Sequence, residues 1–81
     1  MTMTIKLFAV LKEIAGQGEI HLEVPSVISC GEVVSRLHEE IPSLVPFLEH
    51  CLVAVNGKYA DDGASVSVED EVAILPPVSG G

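Results

Sequence analysis

The residues best placed to do chemistry stand at the end of the sequence: Pro76-Pro77-Val78-Ser79-Gly80-Gly81. Proline cannot donate to a strand ladder, so pairing must stop at Pro76. Two successive prolines favour a stiff, extended path. Six extended residues reach up to roughly 20 Å. The two glycines carry no Cβ, so the last stretch could thread a channel too narrow for other residues. The reactive group at such a tip is the α-carboxylate of Gly81, which is inert until adenylate or phosphate is transferred to it. The pattern reads as a folded handle that presents an activatable C-terminus to another protein's pocket. The competing reading is an idle tail, because chain ends are commonly loose.

Other side chains offer less. His21, His38 and His50 lack metal-ligand spacing. His38 lies beside Glu39 and Glu40 and is expected on the solvated side of a helix. His50-Cys51 are adjacent, and neighbours on a strand point to opposite faces. Asp61-Asp62 and Glu69-Asp70-Glu71 lack calcium-loop spacing and read as acidic turns. No glycine-rich phosphate loop and no Ser/His/Asp arrangement is present. A self-contained enzyme is not expected, and no metal site or permanently bound cofactor is implied.

The positioning elements must come from one small domain. Hydrophobic residues make up 48% of the chain and charged residues 20%, a globular composition. A chain of 81 residues has no room for a deep enclosed site. The formal charge is −8, with 4 Lys+Arg against 12 Asp+Glu. Phosphate backbones and anionic membranes would repel it, so neither nucleic acid nor membrane is an expected partner. Partner proteins are expected to carry basic rims, with docking that weakens as salt is added. No apolar run has the length of a membrane span, and Met1 to Lys6 does not read as a signal peptide. Cys30 and Cys51 form no CxxC pair and are expected to be buried free thiols. A soluble, cytoplasmic protein is the expectation.

Along the chain, Ile5 to Val10 reads as a strand, and Leu11 to Gly16 as a single helical turn at most. Glu19 to Val24 alternates polar and apolar residues, with Ile20, Leu22 and Val24 facing inward. Ser29-Cys30-Gly31-Glu32 is a capping box opening a helix. Val33, Val34, Leu37 and Ile41 line its inner face, Arg36, Glu39 and Glu40 point out, and Pro42 closes it. Cys51 to Val55 is a strand, Asn56-Gly57 a hairpin turn, and Lys58 to Ala60 a short return strand. Ser65 to Val68 alternates weakly. Val72 to Leu75 is apolar on both sides and reads as a central strand beside the first. The sum is an α+β fold, a mixed sheet of about five strands with one main helix packed across it. Residues 1–75 form the domain and 76–81 an extended tail.

These residues resemble the sulfur-carrier subunits of molybdopterin synthases. Ile5-Lys6-Leu7-Phe8-Ala9, Lys12-Glu13 and Gly16 are similar to that family's opening strand and turn, and Val53-Ala54-Val55-Asn56 to its middle strand. Asp70-Glu71-Val72-Ala73 followed by Pro76-Pro77-Val78-Ser79-Gly80-Gly81 matches its closing signature. The resemblance implies a ubiquitin-like β-grasp fold. It implies that a ubiquitin-activating-like adenylyltransferase uses ATP to adenylate Gly81, and that a sulfur-transfer protein converts the adenylate to a thiocarboxylate. It implies that the large catalytic subunit receives the tail in a heterotetramer of two small and two large subunits. There sulfur would pass to cyclic pyranopterin monophosphate, building the molybdopterin dithiolene. Gly81 would carry the sulfur, Gly80 would be the slim approach, and Ser79, Val78, Pro77 and Pro76 would thread the partner. Phe8, Tyr59 and Leu75 would dock partners, although Phe8 and Leu75 could equally be core.

One departure is visible. Val68-Glu69 stands where the family usually has Asp-Gly, so the turn there cannot draw on glycine's positive φ as readily. Three rival readings remain. A sulfur carrier for thiamine or another thio-cofactor shares the tail chemistry but tends to lack the Pro-Pro exit. A ubiquitin-like modifier would form isopeptide adducts on lysines. An interaction domain with an idle tail would be indifferent to loss of Gly80-Gly81.

Overall fold

The computed structural model describes residues 1–76. Among these residues there are seven strands: β1 (Thr2–Leu7), β2 (Glu19–Glu23), β3 (Val27–Ser29), β4 (Leu52–Val55), β5 (Lys58–Ala60), β6 (Ser65–Ser67) and β7 (Val72–Leu75). Helices are α1 (Val10–Ala15), α2 (Cys30–Glu40) and α3 (Val45–Leu48), with a 3₁₀ turn over Pro42–Leu44. Five strands form one sheet in the order β2-β1-β7-β4-β5. The central pair β1–β7 is parallel, while β1–β2, β4–β7 and β4–β5 are antiparallel. This is the β-grasp arrangement, and the mixed five-stranded sheet and the central place of the last strand are as expected.

One face of the sheet meets the core. Met3, Ile5, Leu7, Ile20, Leu22, Val53, Val72 and Ile74 point inward and cluster with Val33 and Leu37 of α2 and with Leu11 of α1. Burying each such side chain contributes roughly 1.5–3 kcal/mol. Ser29 caps α2, its Oγ accepting the Glu32 amide at 3.1 Å. Glu32 instead reaches Arg36 Nε at 3.6 Å, so the reciprocal half of the box is replaced by an i,i+4 ion pair.

Several local expectations are corrected. The first strand ends at Leu7 rather than Val10, because the chain turns at Phe8–Leu11 and the Leu11 amide donates to the Phe8 carbonyl at 3.1 Å. Helix α1 is six residues long, more than a single turn, and ends at Gly16, whose φ of 76° lets its amide bond the Lys12 carbonyl. The Ser65–Ser67 strand leaves the main sheet and pairs with β3, an element its short sequence does not announce. Arg36 is half-buried, its Nη1 donating to the Glu23 carbonyl at 3.0 Å and tying α2 to the end of β2. His38 is also half-buried, with its Nε2 shielded from solvent and lacking a partner among the described residues. Cys30 is buried but Cys51 is only half-buried; both are free thiols. Among the described residues, no helix is long and apolar enough to cross a membrane.

Candidate functional site

The side chains that alternate with the core residues build the opposite face of the sheet, and its two halves differ. Over β1 and β2 it is polar. The Thr2 hydroxyl donates to Glu23 at 3.2 Å, and Thr4 Oγ1 lies 3.1 Å from His21 Nδ1. Over β7, β4 and β5 it is apolar. Ala73 pairs with Ala54, and Ala54 with Tyr59. Leu75 lies opposite Leu52 in the row that leads to Pro76. The β1–β7 ladder pairs Leu7 with Ile74, so Phe8, one residue on, falls beside Leu75. Apolar surface left partly exposed beside the end of β7 is the kind that can receive a partner.

Phe8 is 44% exposed, Leu52 38% and Tyr59 70%. Leu75 is half-buried, and neither it nor Phe8 belongs to the core cluster. The three docking candidates Phe8, Tyr59 and Leu75 thus share one face. Leu52 completes the patch and was not singled out from sequence. The signal that could have found it was present, because alternation about the inward Val53 sends Leu52 to the face of Leu75. Pro76 is half-buried at the end of the described chain. Pro77, Val78, Ser79, Gly80 and Gly81 lie outside the described residues.

Two loops hold this face in place. At the β4–β5 hairpin, Asn56 and Gly57 have φ of 52° and 84°, as a type I′ turn requires. The Asn56 side chain then bridges to the turn before β7. Its Nδ2 donates to Asp70 Oδ1 at 3.0 Å, and its Oδ1 accepts the Glu71 amide at 2.9 Å. The other Asp70 oxygen accepts the Ser67 amide at 2.8 Å. These bonds, first the Ser67 amide and then Asn56, hold the Asp70 carboxyl below the usual carboxylate range. The turn is also closed by the Asp70 amide on the Ser67 carbonyl at 3.0 Å. Neither Val68 nor Glu69 needs a positive φ. The departure from Asp-Gly is accommodated this way, and the Asp70-Glu71 pair clamps the entrance to β7.

The second loop follows β1. Ala9 has φ 52° and ψ −128°, the first central position of a type II′ turn, where glycine is the usual residue. A non-glycine residue held there costs on the order of 1–3 kcal/mol. Lys6 and Lys12 flank Phe8 and Ala9 around an open concavity of about 500 Å³. Lys6 Nζ also lies 3.4 Å from Glu71 Oε1, an exposed pair of small energetic weight. Glu19 lines the same concavity, so the charges around Phe8 are mixed, in a chain that is strongly acidic as a whole.

Both thiols are held toward their protonated form. Burial, then the nearby Asp62 and Asp61 carboxylates, raise the Cys30 thiol above its ordinary range. Burial raises Cys51, whose Sγ donates to the Phe47 carbonyl at 2.8 Å.

A β-grasp body whose sequence closes in Gly80-Gly81 is characteristic of ubiquitin-like sulfur-carrier proteins. Residues 5–81 match the ThiS family, and the chain belongs to it. It is 38% identical to a molybdopterin synthase sulfur carrier subunit from Dictyostelium discoideum, over 95% of this chain and 93% of that one. Its backbone superposes on the crystal structure of small archaeal modifier protein 1 from Haloferax volcanii with a TM-score of 0.85. That pair is 30% identical over 95% of this chain and 98% of the other. A complex of subunits 1 and 2 of the molybdopterin-converting factor from Helicobacter pylori contains a chain of the same fold, with a TM-score of 0.71. It is 23% identical, with both chains fully covered.

Proposed function

We propose that this chain is the sulfur-carrier subunit of a molybdopterin synthase. The observation that carries the reading is the uncovered apolar row Phe8, Leu75 and Leu52, set where β7 hands over to Pro76 and the Gly-Gly end. The kinship with the Dictyostelium carrier subunit supports the choice of pathway. The two-subunit complex from Helicobacter supports a large subunit as the partner.

In this reading an adenylyltransferase binds the face and the Gly81 carboxylate attacks the α-phosphorus of ATP, releasing pyrophosphate. Hydrosulfide supplied by a transfer protein then attacks the activated carbonyl, a C–S bond forms, and AMP leaves. The resulting thiocarboxylate enters the large subunit, donates its sulfur to cyclic pyranopterin monophosphate and returns as carboxylate. The chain supplies the handle and the tip, and its partners supply catalysis. A cytoplasmic setting, where ATP and reduced thiols are available, belongs to this reading, as does a pairing of two small with two large subunits.

Intact mass of the chain purified from its own cells tests the proposal. One oxygen replaced by sulfur, absent after deletion of Gly81, is expected, while the thermal midpoint stays unchanged. An unmodified mass that persists with ATP, a sulfur donor and the activating enzyme would sink it. The likeness to the archaeal modifier protein favours a second reading, conjugation to lysines. That reading predicts isopeptide-linked adducts in extracts that disappear with the same deletion.

A further inference from the structure

The sequence neighbours Phe8 and Leu11 are both large and apolar, yet they part company. Leu11 is fully buried and Phe8 is exposed. Ala9 and Val10 lie between them, and Ala9 is held at φ 52° and ψ −128°. Three hydrogen bonds brace this conformation. The Leu11 amide donates to the Phe8 carbonyl at 3.1 Å, the Glu13 amide to the Ala9 carbonyl at 3.2 Å, and the Leu7 amide to the Gly18 carbonyl at 2.9 Å. The first closes the turn, the second opens α1, and the third fixes the end of β1 against the chain leading into β2. A negative φ at Ala9 would change the turn type and with it the angle at which α1 leaves the strand. Either Leu11 would then leave the core or Phe8 would leave the row it forms with Leu75 and Leu52.

Sterically unfavourable backbone persists only where its surroundings over-determine it, and such positions gather at functional sites. We infer that Ala9 is a positioning residue for partner docking: its left-handed turn sends Leu11 into the core while holding Phe8 on the docking face. The inference rests on the proposed function, in that the partner is the large synthase subunit. It adds that backbone conformation at Ala9, rather than its methyl group, sets the position of Phe8.

Three variants separate these ideas by their affinity for the cognate large subunit. Phe8→Ala removes the contact and is expected to weaken docking about tenfold. Ala9→Gly keeps a positive φ without steric cost. It is expected to dock within about twofold of the unchanged chain and to unfold at higher denaturant. Ala9→Val opposes positive φ through its β-branch. It is expected to lose affinity about as much as Phe8→Ala, to lose amide-exchange protection at Leu11, and to keep protection at Ile74. A merely structural role would lower the stability of Ala9→Val without lowering the affinity of its folded form. In the unchanged chain, the Leu11 amide should exchange more slowly once the large subunit is bound.

Normal docking by Ala9→Val beside weakened docking by Phe8→Ala would overturn the inference alone. So would tenfold weakening in Ala9→Gly, a test that stands even if Ala9→Val does not fold. Unchanged Leu11 exchange on binding would count against it as well. Failure of the unchanged chain to bind the large subunit would remove the functional reading and this inference together.

Discussion

The two faces of the central sheet are built from the same strands and differ in almost everything else. On β7, Val72 and Ile74 are buried while Ala73 and Leu75 are half-buried on the other side. On β4, Val53 is buried and Leu52 exposed. Both faces are apolar here, so composition does not distinguish them; cover does. The inner face meets α1 and α2 and becomes the core. Among the described residues, the outer face over β7, β4 and β5 keeps Leu52 and Tyr59 exposed and Ala73 and Leu75 half-buried, and the proposed function assigns that surface to a partner. Alternation thus places stability and recognition one residue apart, and mutations at adjacent positions should separate them.

The largest expected effect tests that separation directly. Ile74→Ala empties a fully buried site and should destabilise the fold by about 2–5 kcal/mol. Leu75→Ala, next in sequence, should cost about 1 kcal/mol or less in stability and weaken docking to the large subunit about tenfold. Urea denaturation and binding titrations on both variants check this. Equal loss of stability at the two positions would erase the distinction between the faces. A smaller effect is expected at the cap of α2, the helix that covers the inner face. Ser29→Ala should destabilise by about 1 kcal/mol and leave docking unchanged.

The smallest effect sharpens the contrast from the side of the loops. Asp70 is bound as its carboxylate by Ser67 and Asn56, and its folded-state pKa lies below the unfolded value. Its contribution is therefore present above the unfolded value of about 4 and is lost as pH falls through the folded one. Asp70→Asn should flatten the fall in stability on acidification below about pH 4, measured as urea midpoints against pH. An unchanged acid slope would mean that the clamp at the entrance to β7 does not depend on the carboxylate.

Much of this arrangement was legible in short stretches of sequence because its causes are local. Strand alternation at Glu19–Val24 gave the inward residues, the apolar run Cys51–Val55 a strand, Ser29-x-x-Glu32 the start of α2, and Asn56-Gly57 the hairpin. Each signal depends on the covalent period of a strand or helix, or on the few residues that tolerate positive φ. The unbroken apolar run of β7 announced a central strand. The closing residues Asp70 to Ala73 and Pro76 to Gly81 carried the family likeness. The Asp70-Glu71 pair read only as a turn, and its role as a clamp needed the Asn56 contact.

Tertiary structure decided what joins distant residues. The β3–β6 ladder pairs Val27–Ser29 with Ser65–Ser67, two stretches too short to declare themselves without each other. The patch of Phe8, Leu52, Leu75 and Tyr59 exists only because β7 sits between β1 and β4 with a fixed register. His38 was expected in solvent and is half-buried, since the helix face it occupies is set by neighbours rather than by its own polar flanks. The left-handed turn at Ala9 has no marker in its residue type. An alanine adopts it because Leu11 must be buried, β1 must end against the chain leading into β2, and one backbone conformation satisfies both. Local patterns set which residues face the same way, whereas long-range pairing chose which of those faces would meet each other and which would stay open.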